Sequence, residues 1–269
     1  MLTIRKPAVA GQFYSGTGTG LEKQVAAYVK ETKEKEKVIG FISPHAGLMY
    51  SGAVAGSVYS RILMPETVIL IGPNHTGLGK RVSIMTSGSW EIPGALVGID
   101  NKLAERMLNQ SPVFSEDMQA HYYEHSLEVQ LPFISYFSKK TKIVPITMFS
   151  VSLDDCRIVG EALAAVIGQT DYYVVISASS DMSHYVSDSV AREKDNKAIE
   201  RILALDPAGL YDVVKKYDIT MCGYAPSTAM LYAAKALGAT KAELVNYMTS
   251  GDVSGDYSHV VGYAGVVIK

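Results

Sequence analysis

Six short runs rich in Val and Ile refuse to alternate apolar with polar residues. They lie at about 37–43, 67–72, 142–148, 172–178, 242–248 and 259–268. A strand with one face in water shows a period of two, whereas a strand covered on both faces reads as a continuous apolar run. Amphipathic segments fill the gaps between the runs. LEKQVAAYVKE (21–31) sets Leu21, Val25, Tyr28 and Val29 on one stripe, and helical patterns follow at 52–63, 103–110, 126–137, 156–168, 189–203, 207–217 and 227–238. Strand and helix in regular alternation predict an α/β fold: a largely parallel central mixed sheet flanked by helices on both faces. The stretch 79–99 has hairpin character and is expected to add antiparallel edge strands. No internal repeat and no linker rich in Pro, Gly or Ser interrupts the pattern, so a single domain over 1–269 is expected.

The bulk properties exclude several partners. A net charge of −2 leaves no electrostatic footprint for nucleic acid or anionic lipid. The longest apolar stretches are far short of the roughly 20 residues that cross a bilayer. Residues 1–16, MLTIRKPAVAGQFYSG, lack the long apolar segment of a signal peptide. Two cysteines, Cys156 and Cys222, make no disulfide framework; the expected setting is a reducing cytoplasm.

In an open α/β sheet, ligands bind just past the carboxyl ends of the strands. Two strands end alike here. The first runs into SPHAGLMYSG (43–52) with His45, the second into GPNHTG (72–77) with His75. A third strand, YYVVIS (172–177), runs into ASSDMSHY, which carries Asp181 and His184. If the three are neighbours, these side chains meet. Neutral imidazole is the commonest protein metal ligand, and its second nitrogen needs an orienting partner. Two His and one anionic ligand suit non-haem Fe(II) or Zn. Asp181 could be that anion or could orient His184. Cys222, in the loop MCGYAPS, could supply a thiolate instead, favouring Fe, Cu or Zn over Mg. Any one of these histidines could equally cap a backbone carbonyl; the joint placement of His45 and His75 favours a site.

HYYEH (121–125) is a literal H-x-x-E-H. On a helix, His121 and His125 would share a face with Glu124 as general base, the pattern of an inverted zinc peptidase. The alternative has a loop entering a helix at about Glu124, with Glu124 and Glu128 in its first turn, where they favour the dipole, and His125 still able to reach the pocket. Asp252 and Asp256 sit in Gly-Asp pairs of turn type, and His259, at a strand start, is the histidine least expected to be a ligand.

Taken together, RKPAVAGQFY (5–14), SPHAGLMYSG (43–52), IGPNH (71–75), EHSLEVQLPF (124–133), SSDMSHY (179–185), CGYAP (222–226) and TSGDVSGD…VVGYAGV (249–266) resemble the Memo family, whose prokaryotic members are called AmmeMemoRadiSam system protein B. The resemblance covers nearly the whole chain in order. It departs at Ser15, where the family often has Pro, and at Met182, where it has an aromatic residue or Leu. It implies a fold similar to class III extradiol dioxygenases and a pocket of His45, His75, Asp181, His184 and Cys222. It also implies iron or copper binding, phosphopeptide recognition in eukaryotic relatives, and radical-SAM and AMMECR-type protein partners in prokaryotic ones. Ring cleavage is not carried over, because fold similarity alone does not transfer function.

The expected protein is thus a cytoplasmic, Memo-like chain with a metal pocket at the carboxyl edge of its sheet. His45, His75 and Cys222 are the expected ligands of Fe, with Cu or Zn as alternatives. Asp181 is expected to orient an imidazole, and His184 to act as general acid or base on a small molecule. A binding module for a phosphopeptide or protein partner is the alternative from another class, and the HYYEH zinc peptidase a third.

Overall fold

The computed structural model describes residues 3–30, 32 and 34–269. Among the described residues there are twelve strands: β1 (Ile4–Arg5), β2 (Gly40–Ser43), β3 (Thr67–Pro73), β4 (Val82–Ile84), β5 (Ser89–Ile92), β6 (Ala95–Gly98), β7 (Ser115–Glu116), β8 (Lys142–Met148), β9 (Val174–Ser179), β10 (His184–Val186), β11 (Ala242–Thr249) and β12 (Val260–Ile268). Nine of them form one mixed sheet in the order β10-β12-β2-β9-β3-β8-β4-β7, with β11 on the outer side of β12. Its centre, β2-β9-β3-β8, is parallel throughout; β12 and β4 flank it in antiparallel sense.

Both faces of that centre are covered, which is why its strands read as unbroken apolar runs. On β2, a side chain at Gly40 would strike Met230 of the helix Tyr224–Ala236 on one face. Its neighbour Phe41 packs edge-on to Tyr59 of the helix Leu48–Arg61 on the other, with ring centroids 5.1 Å apart. One contiguous hydrophobic core runs through both layers.

Several elements differ from the sequence expectation. β11 is half-exposed rather than buried on both faces, because it is an edge strand that pairs only with β12. The 79–99 segment splits: β4 joins the main sheet, whereas the β5–β6 hairpin leaves it to form a small three-stranded sheet with β1. The expected helix over 126–137 is a 3₁₀ turn, Glu128–Gln130, followed by a short helix, Leu131–Phe137. Pro132 has no N–H to bond back to Glu128, so the helix starts afresh with proline in its first turn. The helix expected over 21–31 spans Gly18–Ala26; Glu31 lies outside the described residues.

The helices Leu153–Gly168 and Tyr224–Ala236 meet at Gly160, where a Cβ would lie 2.5 Å from the Ala229 carbonyl oxygen and 2.5 Å from the Tyr232 Cβ. The second helix begins beside the Cys222 loop, so this approach also sets the position of one wall of the pocket. Alanine favours a helix interior by about 1 kcal/mol over glycine, but overpacking a backbone contact costs about 1–3 kcal/mol. Gly160→Ala is therefore expected to destabilise, lowering the melting temperature by about 2–8 °C in calorimetry; an unchanged or raised temperature would show that the helices separate freely.

Candidate metal site

β2, β9 and β3 are adjacent and parallel, so the segments beyond their carboxyl ends emerge side by side. His45 and His75 consequently face one another, with ring centroids 5.3 Å apart. A third ring joins them. His125 stacks on His75 at 4.7 Å and lies edge-on to His45 at 5.5 Å. One nitrogen from each of His45, His75 and His125 falls within 4.8 Å of the other two. That is the spacing of donors around a single ion.

The partners of each ring decide which nitrogen is free. His45 Nδ1 lies 2.8 Å from Ser179 Oγ. That hydroxyl donates its one hydrogen to the Ser126 carbonyl (2.6 Å) and accepts from Gln130 Nε2 (2.9 Å). It can therefore only accept from His45, so Nδ1 carries the proton and Nε2 presents its lone pair. Gln130 is fixed in turn, donating to the Pro44 carbonyl and accepting from Tyr59 Oη. His75 Nδ1 donates to Glu124 Oε1 at 2.9 Å, and the same carboxylate takes the His75 backbone N–H. Its Nε2 is the free acceptor too. His125 Nδ1 stands 3.6 Å from Glu124, and its ring packs edge-on against Phe13 at 5.0 Å.

The electrostatics follow from burial and neighbours. Burial, reinforced by His125 and His75, holds His45 well below the ordinary histidine range. Burial lowers His125 as well. Burial works against a charged His75, but the Glu124 hydrogen bond and the charges of Glu124 and Asp181 outweigh it and raise that ring. Glu124 itself is lowered to about 2: burial opposes the carboxylate, and the bond to His75 and the Ser126 N–H prevail.

Asp181, expected to orient an imidazole, instead accepts the backbone N–H groups of His45 (2.8 Å) and Ala46 (3.3 Å), fixing the chain rather than a ring. Two converging N–H donors at a turn compete effectively for a buried carboxylate. Ring orientation falls to Ser179 and Glu124, neither of which the sequence marked for that role. The Cys222 sulfur lies 3.3 Å from His45 Nε2 and accepts the Asp181 N–H at 3.3 Å. Burial first and Asp181 second push its thiol up, so it is an S–H group within reach of both His45 Nε2 and the Asp181 carbonyl (3.7 Å). His184 donates Nδ1–H to the Thr220 carbonyl at 2.8 Å, leaving Nε2 as an acceptor. A shallow hollow of about 250 Å³ opens beside the cluster, walled by His75, Phe149, Cys222 and Tyr224.

The zinc-peptidase expectation is overturned. Residues 121–125 carry no α-helix; only the single 3₁₀ turn Gln119–His121 is present. His121 is buried edge-on to Trp90, with neither ring nitrogen hydrogen-bonded, and burial with the nearby Arg5 charge lowers it to about 4. Glu124 is bound to His75 and is not placed as the base of an H-x-x-E-H pair. His259 is exposed and its Nδ1 lies 3.3 Å from Ser258 Oγ, and Asp256 caps its own turn.

A family model described as Memo-like protein matches residues 5–267. The chain belongs to the Memo family. A MEMO1 family protein of Methanopyrus kandleri is 43% identical over 279 residues, covering 98% of this chain and 99% of its own. One from Aquifex aeolicus is 44% identical over 268 residues, covering 99% of each. Among solved structures, an uncharacterized protein of Escherichia coli K12 superposes with a TM-score of 0.53 at 13% identity, over 84% of this chain and 99% of that one. That likeness is one of fold alone.

The ring partners and their burial set two expected outcomes, the first for the metal-free protein. By histidine NMR titration, His75 loses its proton at the highest pH of the three clustered rings and His45 at the lowest. Since binding a cation needs neutral rings, affinity then falls as pH drops below the His75 value; a His75 that titrates below His45 would refute the ring assignments. Ser179→Ala strands a buried ring N–H and the Ser126 carbonyl, at about 1–3 kcal/mol each. It is expected to weaken metal binding by about 10–100-fold, read by competition with a chromogenic chelator.

Proposed function

We propose that the pocket is a metal centre held by His45, His75 and His125, with Cys222 beside it, and that it carries out metal-dependent redox chemistry on a small molecule. The supporting observation is the donor set: three imidazole nitrogens within 4.8 Å, two of the rings with Nδ1–H tied elsewhere so that Nε2 carries the lone pair. Imidazole donors suit iron, copper and zinc and discriminate against magnesium and calcium; a neighbouring sulfur strengthens that preference. Iron is the metal this reading favours. When bound, the metal would supply Lewis acidity and a change of oxidation state.

The chain's own residues have definable tasks. Ser179 and Glu124 hold two rings in their donor tautomers. Asp181 fixes the His45 turn through backbone N–H groups. His184, with Nδ1–H committed to Thr220, offers Nε2 to accept a proton from a bound substrate. Phe149 and Tyr224 form the apolar side of the adjoining hollow.

Elemental analysis of anaerobically purified protein tests the reading. About one equivalent of metal is expected in the wild type, with loss of most of it in the double variant His45→Ala/His75→Ala and in His125→Ala, and full retention in His259→Ala. Metal content unchanged in the double variant would remove the proposal. Phosphotyrosine peptides binding the metal-free protein tightly, with no turnover by the loaded one, would replace it with a binding module.

A further inference from the structure

At the opposite end of the sheet from the histidines, the amino-terminal ends of β3, β8 and β9 surround a cavity of about 970 Å³. Thr67 lines it, and His75 lies eight residues further along the chain, a separation of roughly 25 Å for extended chain. Four lysines stand on its walls: Lys37, Lys102, Lys140 and Lys142. All four are exposed, and among the described residues none pairs with a carboxylate. The two acids in the lining are committed elsewhere. Asp100 accepts from Tyr172 Oη (2.6 Å), Thr67 Oγ1 (2.7 Å) and the Leu103 N–H (3.2 Å). Glu66 accepts the Tyr173 N–H at 3.1 Å. Even counting both acids as fully ionised, two positive charges remain in excess.

The aromatic wall is as constrained as the charges are free. Tyr172 is tied through its hydroxyl to Asp100. Tyr173 exchanges hydrogen bonds with the Val38 N–H (2.8 Å) and carbonyl (3.0 Å). Their hydroxyl hydrogens are committed, so what they chiefly offer the cavity is ring surface. Lys37 Nζ stands 5.5 Å from the centre of the Tyr173 ring, keeping its charge at the wall. A cavity of this volume accommodates a drug-sized ligand. Mobile ammonium groups suit phosphate as point charges, and pinned aromatic rings suit a flat ring system.

We propose that this cavity binds a small phosphorylated molecule carrying a flat ring, of the size of a nucleotide, independently of the histidine cluster. Calorimetry on the full chain in chelator-treated buffer tests it with three probes: ADP, inorganic pyrophosphate and adenosine. ADP is expected to bind with a dissociation constant below about 1 mM, with pyrophosphate several-fold weaker and adenosine weaker still. Lys102→Ala/Lys142→Ala, two exposed changes that leave the fold intact, is expected to weaken ADP about tenfold. His75→Ala, at the other end of the sheet, is expected to leave ADP binding unchanged. No heat from any probe at several millimolar would overturn the site. ADP binding lost in His75→Ala but kept in the lysine variant would overturn it too, by locating the anion among the histidines. Pyrophosphate binding as tightly as ADP would remove the ring from the ligand class.

Discussion

The parallel register of β2 on β9 is the constraint on which the pocket depends. Ser43 pairs with Ser179 at the carboxyl edge, and Ile71 of β3 pairs with Ala178. That alignment puts His45 two residues beyond one strand end, Asp181 two beyond the next and His75 two beyond the third. It also turns the Ser179 side chain towards the His45 ring. Because side chains alternate along a strand, a slip of one residue would send Ser179 to the opposite face. His45 Nδ1 would lose its acceptor and Gln130 its anchor. The continuous apolar burial of all three strands is what makes such a slip costly, so the hydrophobic core and the tautomer of His45 are set by one ladder.

A second device brings in the ligand that is not on a strand. Arg5 is buried and pairs with Glu128, and it also donates to the His121 carbonyl (3.0 Å) and the Glu124 carbonyl (2.7 Å) while lying 4.4 Å from the Trp90 ring. Glu128 further accepts the Ala8 and Val9 N–H groups and Tyr14 Oη. Burying such a pair is costly unless the remaining donors and acceptors are satisfied, and here the surrounding backbone satisfies them. The irregular chain from 121 to 128 is thus fastened through its carbonyls and Glu128 to the N-terminal segment. It carries Glu124 to His75 and His125 to the cluster, and Phe13 of the same N-terminal segment seats the His125 ring.

What the sequence made legible tracks how local the determinant is. Non-alternating Val/Ile runs and their helical spacers specified the sheet, because burial on both faces is written in consecutive residues. Convergence of His45 and His75 followed from the strand-end rule and the resemblance to the Memo family. His125 was visible only as a residue able to reach the pocket, since no periodicity marks a loop fastened by Arg5 over a hundred positions away. The ring partners were hidden for the same reason: Ser179 lies 134 residues from His45, and Glu124 lies 49 from His75. HYYEH misled because a five-residue spacing has meaning only on a helix, and the carbonyls of His121 and Glu124 are given to Arg5 instead. Asp181 was read as a ring partner; backbone donors of the neighbouring turn claim it.

The charge state of the cluster sharpens what the pocket is suited to hold. Two protonated imidazoles about 5 Å apart would repel by about 3 kcal/mol at the effective dielectric of a protein. The cluster therefore favours at most one proton beyond those of the three neutral rings, and Glu124 directs that extra proton to His75 while burial disfavours charge on His45 and His125. One positive charge facing three nitrogens and backed by one ionised carboxylate is the arrangement these residues favour. A metal cation supplies that charge at the point where the lone pairs meet, and does so without protonating any ring. The Cys222 sulfur lies 3.3 Å from His45 Nε2; a cation bound to that nitrogen would sit beside the sulfur, which couples the protonation of the thiol to occupancy of the site.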